Sequence, residues 1–302
     1  MIHHRARFRL LTNLVAAVCG IFIHAAASQA CAVRQAEAPA GQGTLPYLTA
    51  GPSNGEVVLL LHGLFAQKEQ WQEVLCALAD AGYQPVAPDL PGYGQSRGYG
   101  LDVYPLESQA KLLHEFSRSS GLQPQHVAGN SMGGAIAALY AHSADALAVR
   151  TLAFIGGTLG IGPWAEPVRT IILSGNNPFI PQTPEALDTE LAMLLAKPPS
   201  LAPEVKQTIL NPYQKDSTHF VQVWNIVNLY DRVLAESPGD ALPTLILWGA
   251  KDHVFDIASS KALAKKYPHH VQKTLPEAGH LPMIDNPEAV SAGYIAFLKR
   301  QH

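Results

Sequence analysis

Gly129-Asn130-Ser131-Met132-Gly133-Gly134 lies between a short apolar segment, Val127-Ala128, and a run that reads as helix, Ala135-Ile136-Ala137-Ala138-Leu139-Tyr140. Gly-x-Ser-x-Gly at a strand-to-helix junction is the pattern of a nucleophile elbow. The reason is steric. The serine sits on a very tight turn, and the residues two before and two after it crowd together, so glycine at both places removes a clashing Cβ. Gly129 and Gly133 fill those places, and Gly134 lets the helix approach the strand.

By itself the pattern says little in a chain of 302 residues with 24 glycines, where a solvated serine on a glycine-rich turn is an ordinary feature. The flanking sequence carries the argument. Upstream, the apolar run Val57-Val58-Leu59-Leu60-Leu61 ends in His62-Gly63-Leu64-Phe65. Downstream, Leu245-Ile246-Leu247-Trp248 ends in Gly249-Ala250-Lys251-Asp252, and Gly279-His280-Leu281-Pro282 follows later. Serine, acid and histidine thus occur in the order Ser131, Asp252, His280, each just after an expected strand.

Around these points, strand-like and helix-like stretches alternate from Tyr47 onward. Strands are expected at 57–61, 84–88, 126–129, 149–155, 245–248 and 271–275, with helices at 69–81, 106–120, 132–143, 259–267 and 287–299. Such alternation predicts an α/β fold, a mostly parallel sheet with helices on both faces. The rhythm breaks between about 156 and 240, where prolines recur between short amphipathic pieces at 167–173, 184–196 and 221–234. That stretch is too long for a plain loop and reads as a helical lid inserted between two core strands. Ligands of such sheets sit at the carboxyl ends of the strands, where all the marked residues fall.

The N-terminus reads as targeting. Arg5, Arg7 and Arg9 precede a mostly apolar stretch from Leu10 to Ala27, and small residues follow up to Ala30. Residues 1–30 are expected to be a signal peptide or membrane anchor and the protein to be exported, with membrane association through this segment. Cys31, directly after Ala30, also admits a lipid-carrying reading, although Gln29 fits that poorly. Losing residues 1–30 removes three arginines and no acid, moving the net charge from -3 to -6. Residues 31–46 read as a linker and 47–302 as the folded domain. Of the three cysteines, Cys76 reads as a core residue on an amphipathic stretch. The spacing supports neither a metal site nor a disulfide framework, and a Cys31–Cys76 bridge is open but unmotivated. Charged residues make up 15% of the chain, below the roughly 25% usual for soluble domains, and no basic patch suggests nucleic acid as a partner.

A serine hydroxyl is a poor nucleophile until a base takes its proton. His280, between the last strand and the last helix and flanked by Gly279 and Pro282, is the expected base among 13 histidines. Asp252 would fix its tautomer and stabilise the imidazolium, with Asp231, Asp256 and Asp285 as rivals. The developing oxyanion needs two preorganised N–H donors. Met132, after the nucleophile, supplies one, and Leu64, in the loop opened by His62-Gly63, the other, with its neighbour Phe65 as the alternative. Phe65, beside that loop, and Phe179 and Ile180 of the insertion are candidates for touching the substrate. The chemistry requires neither a metal nor an organic cofactor.

Taken together, His62-Gly63-Leu64-Phe65, Asp89-Leu90-Pro91-Gly92-Tyr93-Gly94, Gly129 to Gly134, Trp248 to Asp252 and Gly279-His280 resemble the α/β-hydrolase superfamily over about residues 47–298. Within it the chain is similar to monoacylglycerol-lipase-like enzymes and related bacterial lipases, a likeness to which Asn177 to Glu185 adds. The resemblance implies an eight-stranded-type sheet and hydrolysis of a carboxylic ester or lipid through an acyl-enzyme, with Ser131 attacking. Thioesterase, acyltransferase and carbon–carbon hydrolase chemistry on the same three residues stay open, as does a non-catalytic ligand-binding role. An aspartate where Ser131 stands would have pointed to epoxide hydrolase or dehalogenase.

Overall fold

The computed structural model describes residues 31–301 apart from Leu147 and Asp240, so the expected signal or anchor at 1–30 lies outside the described residues. Eight strands form one sheet: β1 (Arg34–Ala40), β2 (Gly43–Thr49), β3 (Val57–Leu61), β4 (Gln84–Pro88), β5 (Pro124–Ser131), β6 (Thr151–Thr158), β7 (Thr244–Gly249) and β8 (His270–Leu275). Their order across the sheet is β1-β2-β4-β3-β5-β6-β7-β8. β2 runs antiparallel to β1 and β4, and the other pairs are parallel.

The central strands are apolar throughout because helices cover both faces. In β3, Leu59 and Leu61 enter one core while Val58 and Leu60 enter the other, the period of two expected of a pleated strand. Five helices cover the sheet: α1 (Gln72–Asp80), α2 (Leu106–Ser119), α3 (Met132–His142), α9 (Ala258–Lys266) and α11 (Pro287–Leu298), with the single turn α10 (Pro282–Asp285) before α11. α3 is buried on nearly every side. Its small residues Ala135, Ala137 and Ala138 let it lie against β5 and β6.

Between β6 and β7 come α4 (Glu166–Leu173), α5 (Pro184–Leu194), α6 (Pro203–Lys215), α7 (Ser217–Asn228) and α8 (Val233–Glu236). Proline stands in the first turn of α4, α5 and α6, where its fixed φ suits the helix and its missing N–H costs nothing. Pro167, Pro184 and Pro203, three of the prolines that break the sequence rhythm, are therefore helix starts, whereas Pro212 lies inside α6. The stretch 221–234 is split, because α7 ends at Asn228 and α8 begins at Val233. α6 has no counterpart among the expected pieces.

Two expectations fail here. The segment read as a linker, 31–46, supplies β1 and the first part of β2. Their inward positions, Ala38, Ala40 and Leu45, are buried. Alanine marks the alternation too faintly to be read as strand, and exposed Pro39 is tolerated on an edge strand. Cys31 and Cys76 form a disulfide across a Cα–Cα distance of 5.5 Å. The bridge ties the chain ahead of β1 to α1, so Cys76 is not simply a core thiol, and the engaged Cys31 sulfur carries no lipid in this state. Closing a loop of this length contributes about 2–4 kcal/mol. Cys76→Ser should lower stability by that amount in urea unfolding, and adding a reductant to the native protein should reproduce the loss.

Candidate active site

β5 ends on Ser131 and α3 begins on Met132, so the turn between them has no spare residue. Ser131 has φ 55° and ψ -123°, a conformation that costs an L-residue about 1–3 kcal/mol. Two glycines make it attainable. A Cβ on Gly129 would run into the backbone of Gly133 and Gly134, and one on Gly133 would meet the carbonyls of Leu61 and His62 at the end of β3. The strained turn is held from outside. The Ser131 carbonyl accepts from the Leu159 amide and the Thr158 hydroxyl, both at 3.2 Å.

His280 is buried, and its Nδ1 lies 3.1 Å from Asp252 Oδ2. The other Asp252 oxygen accepts from the amides of Val254 (2.9 Å) and Phe255 (3.1 Å), which orients the carboxylate. With Nδ1–H donating to Asp252, Nε2 is left to take a proton. Two of the rival acids are engaged elsewhere. Asp285 accepts from the amides of Gly279 (2.7 Å) and Ala196 (3.0 Å), and Asp256 from Ala258 (2.8 Å). Asn130, which the sequence did not single out, straps the parts together. Its amide donates to the carbonyls of Ile155 (2.9 Å) and His280 (3.0 Å), linking the serine turn to the histidine loop.

The loop after β3 is held by buried polar groups. His62 Nδ1 donates to the Gly63 carbonyl at 2.8 Å, and Nε2 accepts from the Leu90 amide at 3.0 Å. The bond accepted at Nε2 requires the neutral ring, and burial lowers its pKa accordingly. Lys68 and Asp89, fully buried, pair at 2.8 Å, and Asp89 also accepts from the amides of Lys68 and Gln95. Phe65 has φ 56°, rare for a bulky side chain. Its ring packs edge-on against Phe220 (5.1 Å) and Tyr213 (6.2 Å) of the insertion, contacts that brace the loop.

Ser131, Met132, His280, Leu64 and Phe65 all line one cavity of about 220 Å³ beneath the inserted helices, with Asp252 behind His280. Its walls are mostly apolar. Trp164 stacks on Phe255 (4.6 Å) and lies near Trp224 and Phe179. Phe179 lines the cavity, but Ile180, expected beside it, does not. Both belong to the same buried core cluster, but of the two only Phe179 also reaches the cavity wall. Glu190 of α5 also lines the cavity, and no sequence signal marked it, because it stands on a helix whose other acids face water.

A model of the alpha/beta hydrolase family matches residues 58–292, from β3 into α11 and across the whole site. The chain belongs to the alpha/beta hydrolase family. This hydrolase is 28% identical over 262 residues to Lipase 1 of Psychrobacter immobilis, covering 83% of this chain and 79% of that one. To the monoacylglycerol lipase ABHD6 of Mus musculus it is 25% identical over 262 residues, covering 83% and 78%. A solved membrane phospholipase A, described as a bacterial virulence factor, matches it with a TM-score of 0.81 at 27% identity, covering 97% of this chain and 91% of that one. With lipases among its relatives, the hydrolase is a carboxylic ester hydrolase.

Proposed function

We propose that this hydrolase cleaves fatty acyl esters of uncharged lipids, monoacylglycerols among them, through an acyl-enzyme on Ser131. His280 Nε2 takes the Ser131 proton as the hydroxyl oxygen attacks the ester carbonyl. Asp252 holds the ring and stabilises the imidazolium. The amides of Met132 and Leu64 receive the oxyanion, a donor pair in which each member is worth about 2.7–4 kcal/mol. His280 then gives its proton to the leaving alcohol, and a water activated by the same ring frees the acid.

The observation that carries the substrate class is the cavity itself. It is lined mainly by Leu, Ile, Trp and Phe side chains, with Ser131 and His280 among the residues of its wall. Such walls suit a hydrocarbon chain, and the helical insertion acts as its lid. Export is part of the same reading. The Cys31–Cys76 bridge favours an oxidising compartment, and the arginine-headed apolar stretch before it would bring the enzyme to the membrane that holds such lipids.

A series of p-nitrophenyl esters from acetate to palmitate tests the substrate class. Each methylene buried in the cavity adds about 0.8 kcal/mol, so kcat/KM should rise more than about tenfold from acetate to octanoate. A preference for acetate would remove the acyl-binding role of the cavity.

A further inference from the structure

Glu190 is the one cavity-lining residue, among those described, that carries a carboxyl group. It sits on α5 between Leu187, Leu191 and Leu194, which line the cavity with it, and is 8% exposed. Among the described residues its side chain has no hydrogen-bond or ion-pair partner. The charged groups on neighbouring elements are turned elsewhere. Lys206 of α6 pairs with Asp188 on the outer side of α5, and Asp285 of α10 binds the amides of Gly279 and Ala196. The titratable side chains sharing the cavity with Glu190 are Tyr213, from α6, and His280.

Buried polar groups normally find partners, and one left open toward a cavity needs a reason. Burial pushes the Glu190 carboxyl up to about 8, so it keeps its proton at neutral pH. It therefore offers both an O–H donor and an acceptor. Burial also raises the Tyr213 hydroxyl, with nearby Glu190 adding to the effect, so this group too stays protonated. The wall thus presents two neutral hydrogen-bonding groups within an apolar surround. An anionic headgroup meets no cation there, and an ammonium would be stripped of water among leucines and tryptophans. A neutral hydroxyl can donate to and accept from the acid.

On the ester-hydrolase reading above, we infer that Glu190, assisted by Tyr213, is a specificity-determining residue that selects uncharged, hydroxyl-bearing esters over plain alkyl esters. The hydroxyl comes either from the leaving alcohol, as in a glyceryl ester, or from a hydroxylated acyl chain. The chemistry of recognition is the same in both. A site built to hydrogen-bond a hydroxyl discriminates against the analogue that lacks it, because its own polar groups are then left unpaired.

The test compares kcat/KM for 1-decanoylglycerol and for methyl hydroxydecanoate, each divided by kcat/KM for methyl decanoate, in wild type, Glu190→Leu and Glu190→Gln. Glu190→Leu should lower at least one ratio about tenfold at pH 7, whereas Glu190→Gln should hold it within about threefold. A fall in the first ratio places the hydroxyl on the alcohol side, and a fall in the second places it on the acyl chain. Above pH 8 the wild-type ratio should climb, because an ionised carboxylate repels an alkyl chain more than a hydroxyl that can donate to it. In Glu190→Gln the same ratio should stay flat, and the wild-type pH series needs no variant to fold. Ratios unchanged by both substitutions and by pH overturn the assignment while leaving the ester-hydrolase reading intact. No turnover of any of the three esters overturns both.

Discussion

Ser131→Ala should lower kcat/KM for p-nitrophenyl octanoate by roughly 10⁵-fold or more, with unfolding free energy within about 0.5 kcal/mol of the wild type. The two parts of this result have separate causes. Activity falls because no other hydroxyl stands at the end of β5, held by Leu159 and Thr158 and in the cavity that His280 also lines. What remains should resemble a preorganised oxyanion site without its nucleophile. Stability is spared because the glycines at 129 and 133 still permit the turn, and alanine at φ 55° is strained about as much as serine. Steady-state kinetics and urea unfolding on the same preparation check both parts. Retained turnover would place the nucleophile elsewhere.

Lys68→Met should cost about 3–5 kcal/mol of unfolding free energy. Lys68 and Asp89 are both fully inside the protein, and their 2.8 Å ion pair joins the loop after β3 to the loop after β4. Glu69 lies 3.1 Å from the same ammonium. Removing the cation leaves the Asp89 carboxylate with only the amides of Lys68 and Gln95. An uncompensated buried charge is far more costly than the intact pair was stabilising. Adding Asp89→Asn should therefore recover part of the loss, and urea unfolding of both single variants and the double variant measures the coupling. Activity should fall beyond what the loss of folded protein explains, because the same pair anchors the segment that presents Leu64. A loss below about 1 kcal/mol would mean that the site relaxes or hydrates.

Local steric rules account for what was readable in the sequence. Val57 to Leu61 and Leu245 to Trp248 are apolar without interruption because helices bury both faces of their strands. Gly129 and Gly133 announce the turn at Ser131 because no other residue clears the backbone at those places. The parallel pairing of the strands from β3 to β8 and the position of the helical insertion follow from that alternation. What was hidden depends on partners distant in sequence. β1 is cloaked by alanines whose burial only the neighbouring strand reveals. Cys31 and Cys76 lie 45 residues apart, and only the packing of α1 brings them together. Asn130 reads as the variable position of a short motif, and its bonds to Ile155 and His280 exist only once three strands align. Ile180 and Phe179 are adjacent and similar in character, so pattern alone cannot tell which of them faces the cavity. Glu190 and Lys68 defeat the rule that charged residues face water, one toward a cavity and the other toward Asp89.

The central claim is that the hydroxyl of Ser131 is made reactive by His280. Incubating the folded protein with a fluorophosphonate and mapping the adduct by peptide mass spectrometry tests it most directly. The account predicts about one adduct per chain, on Ser131, formed much more slowly in His280→Ala and absent in Ser131→Ala. An unlabelled folded protein, or an adduct on another residue, would contradict it.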